Sequence, residues 1–145
     1  MSQDKNPYLT VYKGRFKGVL KWEQLDELFD RVRELADRHW FIYAVGEQPP
    51  EESVSAEQLD HFLTEINQLL RREHEERYCG IVYADDFEQP CFIKIFDPNN
   101  LGVSCGFSEH PPLPGWVLST LKPVDLPAAF PPPGNRRRWW QALFS

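Results

Sequence analysis

At 145 residues the chain is long enough to form one domain with its own core, without help from disulfides or metals. Hydrophobic residues make up 41% and charged residues 26%, a composition that excludes fibrous and low-complexity classes. The formal net charge of -6 argues against general nucleic-acid binding, which needs cations to replace phosphate counterions.

Charge and proline are unevenly spread. Residues 1–97 carry 20 acids and 12 bases, whereas residues 98–145 carry 2 acids, 4 bases and 9 of the 13 prolines. An acidic body is thus followed by a weakly basic, proline-rich end. No apolar run is long enough to cross a bilayer, and the opening MSQDKNPY lacks the apolar centre of a signal peptide. Three cysteines cannot all pair, and their spacings of 12 and 14 match no zinc pattern, so a reducing, cytoplasmic setting is expected.

From Tyr8 to Leu20 the residues alternate: Tyr8, Thr10, Tyr12 and Phe16 fall on one face, Lys13, Arg15 and Lys17 on the other. Period two predicts extended structure, with Gly14 and Gly18 marking a bulge or a turn. The basic stripe suggests an anionic-ligand or nucleic-acid site as one alternative; edge-strand lysines that guard against aggregation are the favoured reading. Residues 21–40 follow with Leu25, Leu28, Phe29, Val32, Leu35 and Ala36 at helical spacing, and with Glu27–Arg31 and Glu34–Arg38 four apart. FIYAV at 41–45 reads as a strand ended by Gly46 and Pro49-Pro50. The second helix opens on Ser55, with Gln58 completing a capping box, and carries the stripe Leu59, Phe62, Leu63, Ile66, Leu69 and Leu70. Its end, RREHEERY, reads as a solvated last turn.

Residues 78–107 predict a three-stranded meander with one cysteine per strand. A turn at Asp97-Pro98-Asn99-Asn100 places Ile95 opposite Val103 and Ile93 opposite Cys105. Pairing Tyr83 with Cys91 in the first hairpin gives a core face of Cys79, Ile81, Tyr83, Cys91, Ile93, Ile95, Leu101, Val103, Cys105 and Phe107. Phe92, Lys94 and Phe96 then share the opposite face with glycines and serine, and something should cover the two rings. Beyond lie polyproline-prone segments, WVLSTL as a short helix or strand, and RRRWWQALFS as a short helix that needs a surface to bury its rings.

The expected fold is an α+β two-layer sandwich: a mixed or antiparallel sheet with that C-terminal meander, two helices on one face, and a proline-rich extension on the other. A core domain over 1–110 and an extension over 111–145, packed on the same domain, complete the organisation.

Chemistry-bearing patterns are few. Cys105 with His110 five residues on is the strongest candidate for a thiol-dependent site, yet the register above buries Cys105, where a free cysteine acts as a small hydrophobe. A metal site would have to draw Cys79, Cys91, Cys105 and one of His39, His61, His74 or His110 together without any ligand spacing, and none is assigned. Asp85-Asp86 and Glu51-Glu52 read as solvated loop acids. No phosphate-binding glycine loop, HExxH or GxSxG pattern occurs, and no cofactor is implied.

The most distinctive feature is the C-terminal pairing of arginines with tryptophans. Arg136, Arg137, Arg138, Trp139, Trp140 and Phe144, together with Trp116 and adjoined by Phe92 and Phe96, form the expected contact surface. For that segment by itself, folding back over the Phe92/Phe96 side of the sheet is the favoured reading, because adjacent exposed tryptophans would otherwise form an apolar patch. These patterns favour a small non-catalytic accessory or regulatory protein that acts on a protein partner or on a second copy of itself. The thiol or metal protein using Cys105 and His110 stands as the alternative.

Overall fold

The structure is a computed structural model that describes residues 6–99 and 113–129. Within them the elements run α1 (Pro7–Tyr12), β1 (Lys17–Gly18), α2 (Trp22–Glu34), a 3₁₀ turn (Ala36–Arg38), β2 (Phe41–Ala44), α3 (Ala56–Glu73), β3 (Val82–Ala84), β4 (Phe92–Ile95), β5 (Trp116–Ser119) and α4 (Leu126–Ala129). The strands form one sheet in the order β1-β3-β4-β5-β2, with every pair antiparallel. This is an α+β fold.

Helices α2 and α3 pack on the inner face of the sheet. Leu25, Leu28, Phe29 and Val32 of α2 meet Leu59, Leu63, Ile66 and Leu70 of α3 and the sheet residues Val82, Ala84, Ile93, Ile95 and Leu118. Each buried leucine, isoleucine, valine or phenylalanine among them contributes roughly 1.5–3 kcal/mol relative to leaving it exposed. The ion pairs linking the helices, Arg33–Asp60 at 2.6 Å and Arg71–Asp26 at 2.9 Å, are solvent-exposed and add far less. Packing, not charge, holds this layer.

The Ser55 capping box forms as its sequence indicates: Gln58 N–H donates to Ser55 Oγ at 3.1 Å, and Ser55 N–H to Gln58 Oε1 at 2.8 Å. Helix α2 ends six residues short of the expected 21–40 span. Its chain tightens into the 3₁₀ turn and then reverses at His39, which adopts a left-handed backbone at φ 60°. That reversal buries Trp40 completely, with its indole N–H donating to Leu35 C=O at 2.9 Å. The arginines also pair differently from expectation, Arg31 with Glu34 and Arg33 with Asp30.

Two local expectations are corrected. Residues 7–12 are helical, not extended. Asn6 accepts N–H bonds from Tyr8 at 2.9 Å and Leu9 at 3.2 Å, and Pro7 holds a first-turn position with its φ preset. In a segment this short the cap outweighs an alternation that is also compatible with a helix. The β3–β4 register differs as well: Tyr83 lies opposite Lys94 and Ala84 opposite Ile93, so Tyr83 does not face Cys91. Asp85 and Asp86 explain the shift. Asp85 Oδ1 accepts from Cys91 and Phe92 N–H, and Asp86 Oδ1 from Glu88 and Gln89 N–H, so a longer loop satisfies its own donors. The shift is an odd number of residues, so it turns Tyr83 to the outer face and puts Val82 and Ala84 in the core.

β4 is paired on both sides, by β3 and by β5. The place expected for a strand at 101–107 is therefore held by Trp116–Ser119; residues 101–107 themselves lie outside the described residues. WVLSTL is thus a central strand, and the proline-rich region supplies part of the sheet. On the outer face a second core forms from Tyr8, Tyr43, Phe92, Val117 and Leu126, covered by α1 and by residues 113–126. The cover expected from the proline-rich segments is there, joined by an α1 that local patterning did not foresee.

Candidate functional site

Alternation along β4 sends Ile93 and Ile95 to the inner core and Phe92 and Lys94 to the outer face. Lys94 sits mid-sheet, between Tyr83 of β3 and Val117 of β5. Above it, α1 and the turn that follows bring two rings down. Lys13 N–H donates to Leu9 C=O and Gly14 N–H to Val11 C=O, which closes the helix and returns the chain toward the sheet at Phe16. Phe16 then packs on Phe92 with centroids 5.7 Å apart, beside Tyr8 at 4.8 Å and Tyr12 at 6.3 Å. The glycine at 18 matters here, because a Cβ would meet the Tyr83 ring at 3.2 Å.

The ammonium of Lys94 is held between two ring faces, 4.0 Å from the Tyr12 centroid and 4.1 Å from that of Phe16. Among the described residues no carboxylate pairs with it. Burial alone pushes its pKa down to about 8. The negative ring faces act in the opposite sense, since they favour the charged form. The surrounding phenols stay protonated: burial pushes Tyr12 up to about 12, and burial also raises Tyr8 and Tyr43. Tyr43 Oη accepts Leu126 N–H at 3.1 Å, and Ser119 Oγ donates to Leu121 C=O at 2.6 Å. The buried Tyr8 hydroxyl has no hydrogen bond of good geometry, although Ser119 lies close enough to favour its ionised form slightly.

A different kind of surface lies where β1 runs into α2 and α3 into β3. Leu20 at 63% and Tyr78 at 56% are the large hydrophobic side chains left exposed among the described residues. They are neighbours, because Cys79 N–H donates to Leu20 C=O and Gly80 N–H to Val19 C=O, both at 2.8 Å. Gly80, at φ 68°, lets the Tyr78 ring lie against the backbone, where a Cβ would meet it at 3.1 Å. His74 lies 6.5 Å from Tyr78 and 6.2 Å from Trp22, with its Nε2 buried and unpartnered. Trp22 is pinned by its indole N–H to Glu76 C=O at 3.1 Å, with the Arg71 guanidinium 5.2 Å above the ring. The RREHEERY segment therefore holds a packed aromatic edge as well as solvated charges.

An open cleft of about 510 Å³ lies at the N-terminus of α3, lined by Arg33, His39, Val54 and Ser55 among others. Two of its polar residues are already engaged. Arg33 binds Asp30, Asp60 and Thr64, and Ser55 binds Gln58.

Of the residues singled out from the sequence, those within the described residues are dispersed. Cys79 is fully buried and its thiol is pushed up by burial, the opposite of an activated nucleophile; Cys91 is half-buried and free. Among the described residues no group of three or more His, Cys, Asp or Glu side chains could hold a metal. Cys105, His110 and Arg136, Arg137, Arg138, Trp139, Trp140 and Phe144 lie outside the described residues. Phe92 has no exposed surface and is covered by α1, so it cannot adjoin a contact surface. Trp116 packs against the inner core, on the other face of the sheet from Phe92. Phe96 is half-buried edge-on to Tyr83 at 5.7 Å. Lys13, Arg15 and Lys17 are exposed, but the helical turn before them places Lys13 at a helix end and only Lys17 on a strand, so no single basic stripe exists.

Lys94 was the residue that the pattern underrated. A lone lysine inside CFIKIF was the available signal, and its cover comes from α1, more than 75 positions away in the chain. No protein-family model, curated protein or solved structure matches the chain. Among the described residues no helix is long and apolar enough to cross a membrane.

Proposed function

We propose that this protein is a non-catalytic accessory or regulatory module that docks a protein partner through the surface formed by Leu20, Trp22 and Tyr78. The carrying observation is the adjacency of two exposed large hydrophobic side chains with a half-buried tryptophan and an arginine stacked on it. Tryptophan, tyrosine and arginine are the residue types most enriched where truncation weakens protein–protein binding. The site is also braced: backbone bonds fix Leu20 beside Tyr78, Gly80 seats the Tyr78 ring, and Glu76 anchors Trp22. A preorganised surface loses less side-chain entropy on binding.

The double variant Leu20→Ser/Tyr78→Ser tests this reading. Both positions are exposed, so the thermal midpoint should stay within a few degrees of wild type while a partner that co-purifies with wild type is lost. Retention of the same partner by a folded double variant would sink the proposal. The segment 136–144, rich in arginine and tryptophan, is proposed as a second contact element. Removal of residues 135–145 should then weaken partner binding and leave the melting curve intact; a collapse of stability instead makes the segment structural.

A further inference from the structure

We propose that the partner docked by Leu20, Trp22 and Tyr78 is a second copy of this chain, joined through the same surface about a two-fold axis. This rests on the docking role of that surface and adds the identity of the partner. The arrangement of charge around the apolar residues carries the idea. Two links hold residues 20–22 alongside residues 76–79: Cys79 N–H donates to Leu20 C=O at 2.8 Å, and the Trp22 indole N–H to Glu76 C=O at 3.1 Å. Lys21 and Arg77 fall between the two links, whereas Glu23, Glu75 and Glu76 fall at or beyond the second. All five are exposed, and none forms an ion pair among the described residues. Two cations are thus gathered next to the exposed apolar pair, and three carboxylates at the Trp22 end.

Like charges gathered in this way repel one another within a single copy. The neighbouring cations give no relief, because Arg71 is paired with Asp26 and Arg72 with Glu73. A partner surface of one sign would answer one group and oppose the other. What answers both is the same sequence of charges in reverse order. Rotation of a second copy about a two-fold axis through the patch supplies it, setting Lys21 and Arg77 of each copy over Glu23, Glu75 and Glu76 of the other. The same rotation closes Leu20 and Tyr78 off from water, against the first turn of the other copy's α2. A patch built on three apolar side chains is at the low end for stable association, so the dimer forms as concentration rises.

Sedimentation velocity of the intact chain, run from about 5 to about 500 μM, tests the pairing. The weight-average mass should climb from 17.0 kDa toward twice that value. Two variants, Lys21→Glu/Arg77→Glu and Glu75→Lys/Glu76→Lys, reverse charges at exposed positions and should keep the wild-type melting curve. Each alone should dimerise at least about tenfold more weakly than wild type, because like charges then face each other. Mixed in equal amounts, the two should associate at least as tightly as wild type, a rescue that mere destabilisation does not produce. A wild type that stays at 17.0 kDa throughout, a dimer indifferent to both reversals, or a mixture that stays monomeric would overturn the pairing. A photo-crosslinker at position 78 separates this from the docking role beneath it. An adduct with a different protein removes only the second copy as partner, whereas no adduct at all removes the docking surface too.

Discussion

Lys94 and Phe92 leave β4 on the same side, and their fates show how burial decides what a side chain can do. Phe92 is sealed by Tyr8, Tyr12 and Phe16, so truncating it removes the centre of the outer core. Phe92→Ala should cost about 3–5 kcal/mol, read from urea unfolding. Lys94 lies between the rings of Tyr12 and Phe16 and is only half-buried. Its folded pKa lies below the unfolded value, so between about pH 8 and 10 the unfolded chain binds more protons at this position. Stability contributed here therefore rises with pH across that window, whereas the buried tyrosines act in the opposite sense above pH 10, as the unfolded phenols ionise first. The wild type compared with Lys94→Met cancels the tyrosines. Relative to that variant the wild type should gain stability from pH 8 to 10, and a flat difference would mean the ring faces fully offset desolvation.

Elements differ in how much of themselves they declare locally. Helix α3 was legible in full, because Ser55, Gln58 and six stripe residues all specify one start and one face. The register of β3 with β4 was not, since it depends on Asp85 and Asp86 accepting four loop N–H groups, a choice that apolar alternation does not encode. For α1 the decisive residues are Asn6 and Pro7, just ahead of an alternation suggestive of a strand. Six residues make a helix too short to persist alone, so the cap and the outer core must act together. Asn6→Ala should destabilise the protein by about 1 kcal/mol. It should also loosen the cover over Lys94, so that its amine titrates closer to the ordinary lysine value in an NMR pH series. An unchanged titration would mean that α1 stays docked without its cap.

For the whole molecule, the candidate sites were harder to read than the fold because each is assembled from distant segments. Leu20 and Tyr78 are 58 positions apart and meet only through the β1–β3 edge of the sheet. Lys94 acquires its ring cover from α1 and the turn after it, and WVLSTL lies between β4 and β2, strands far from it in the chain. Two faces of one sheet thus serve different ends: the inner one supplies most of the core, and the outer one holds the lysine. The proposed docking surface lies at the joined ends of α2, α3 and β3, away from both. Installing a photo-crosslinking phenylalanine analogue at position 78, with one at exposed Glu57 on α3 as a control, tests the docking surface most directly in cells that make the protein. A discrete protein adduct should form from position 78 and not from position 57, with a mass near twice 17.0 kDa if the partner is a second copy. Equal adduct patterns from the two positions, or none from position 78, would contradict a contact role for Leu20, Trp22 and Tyr78.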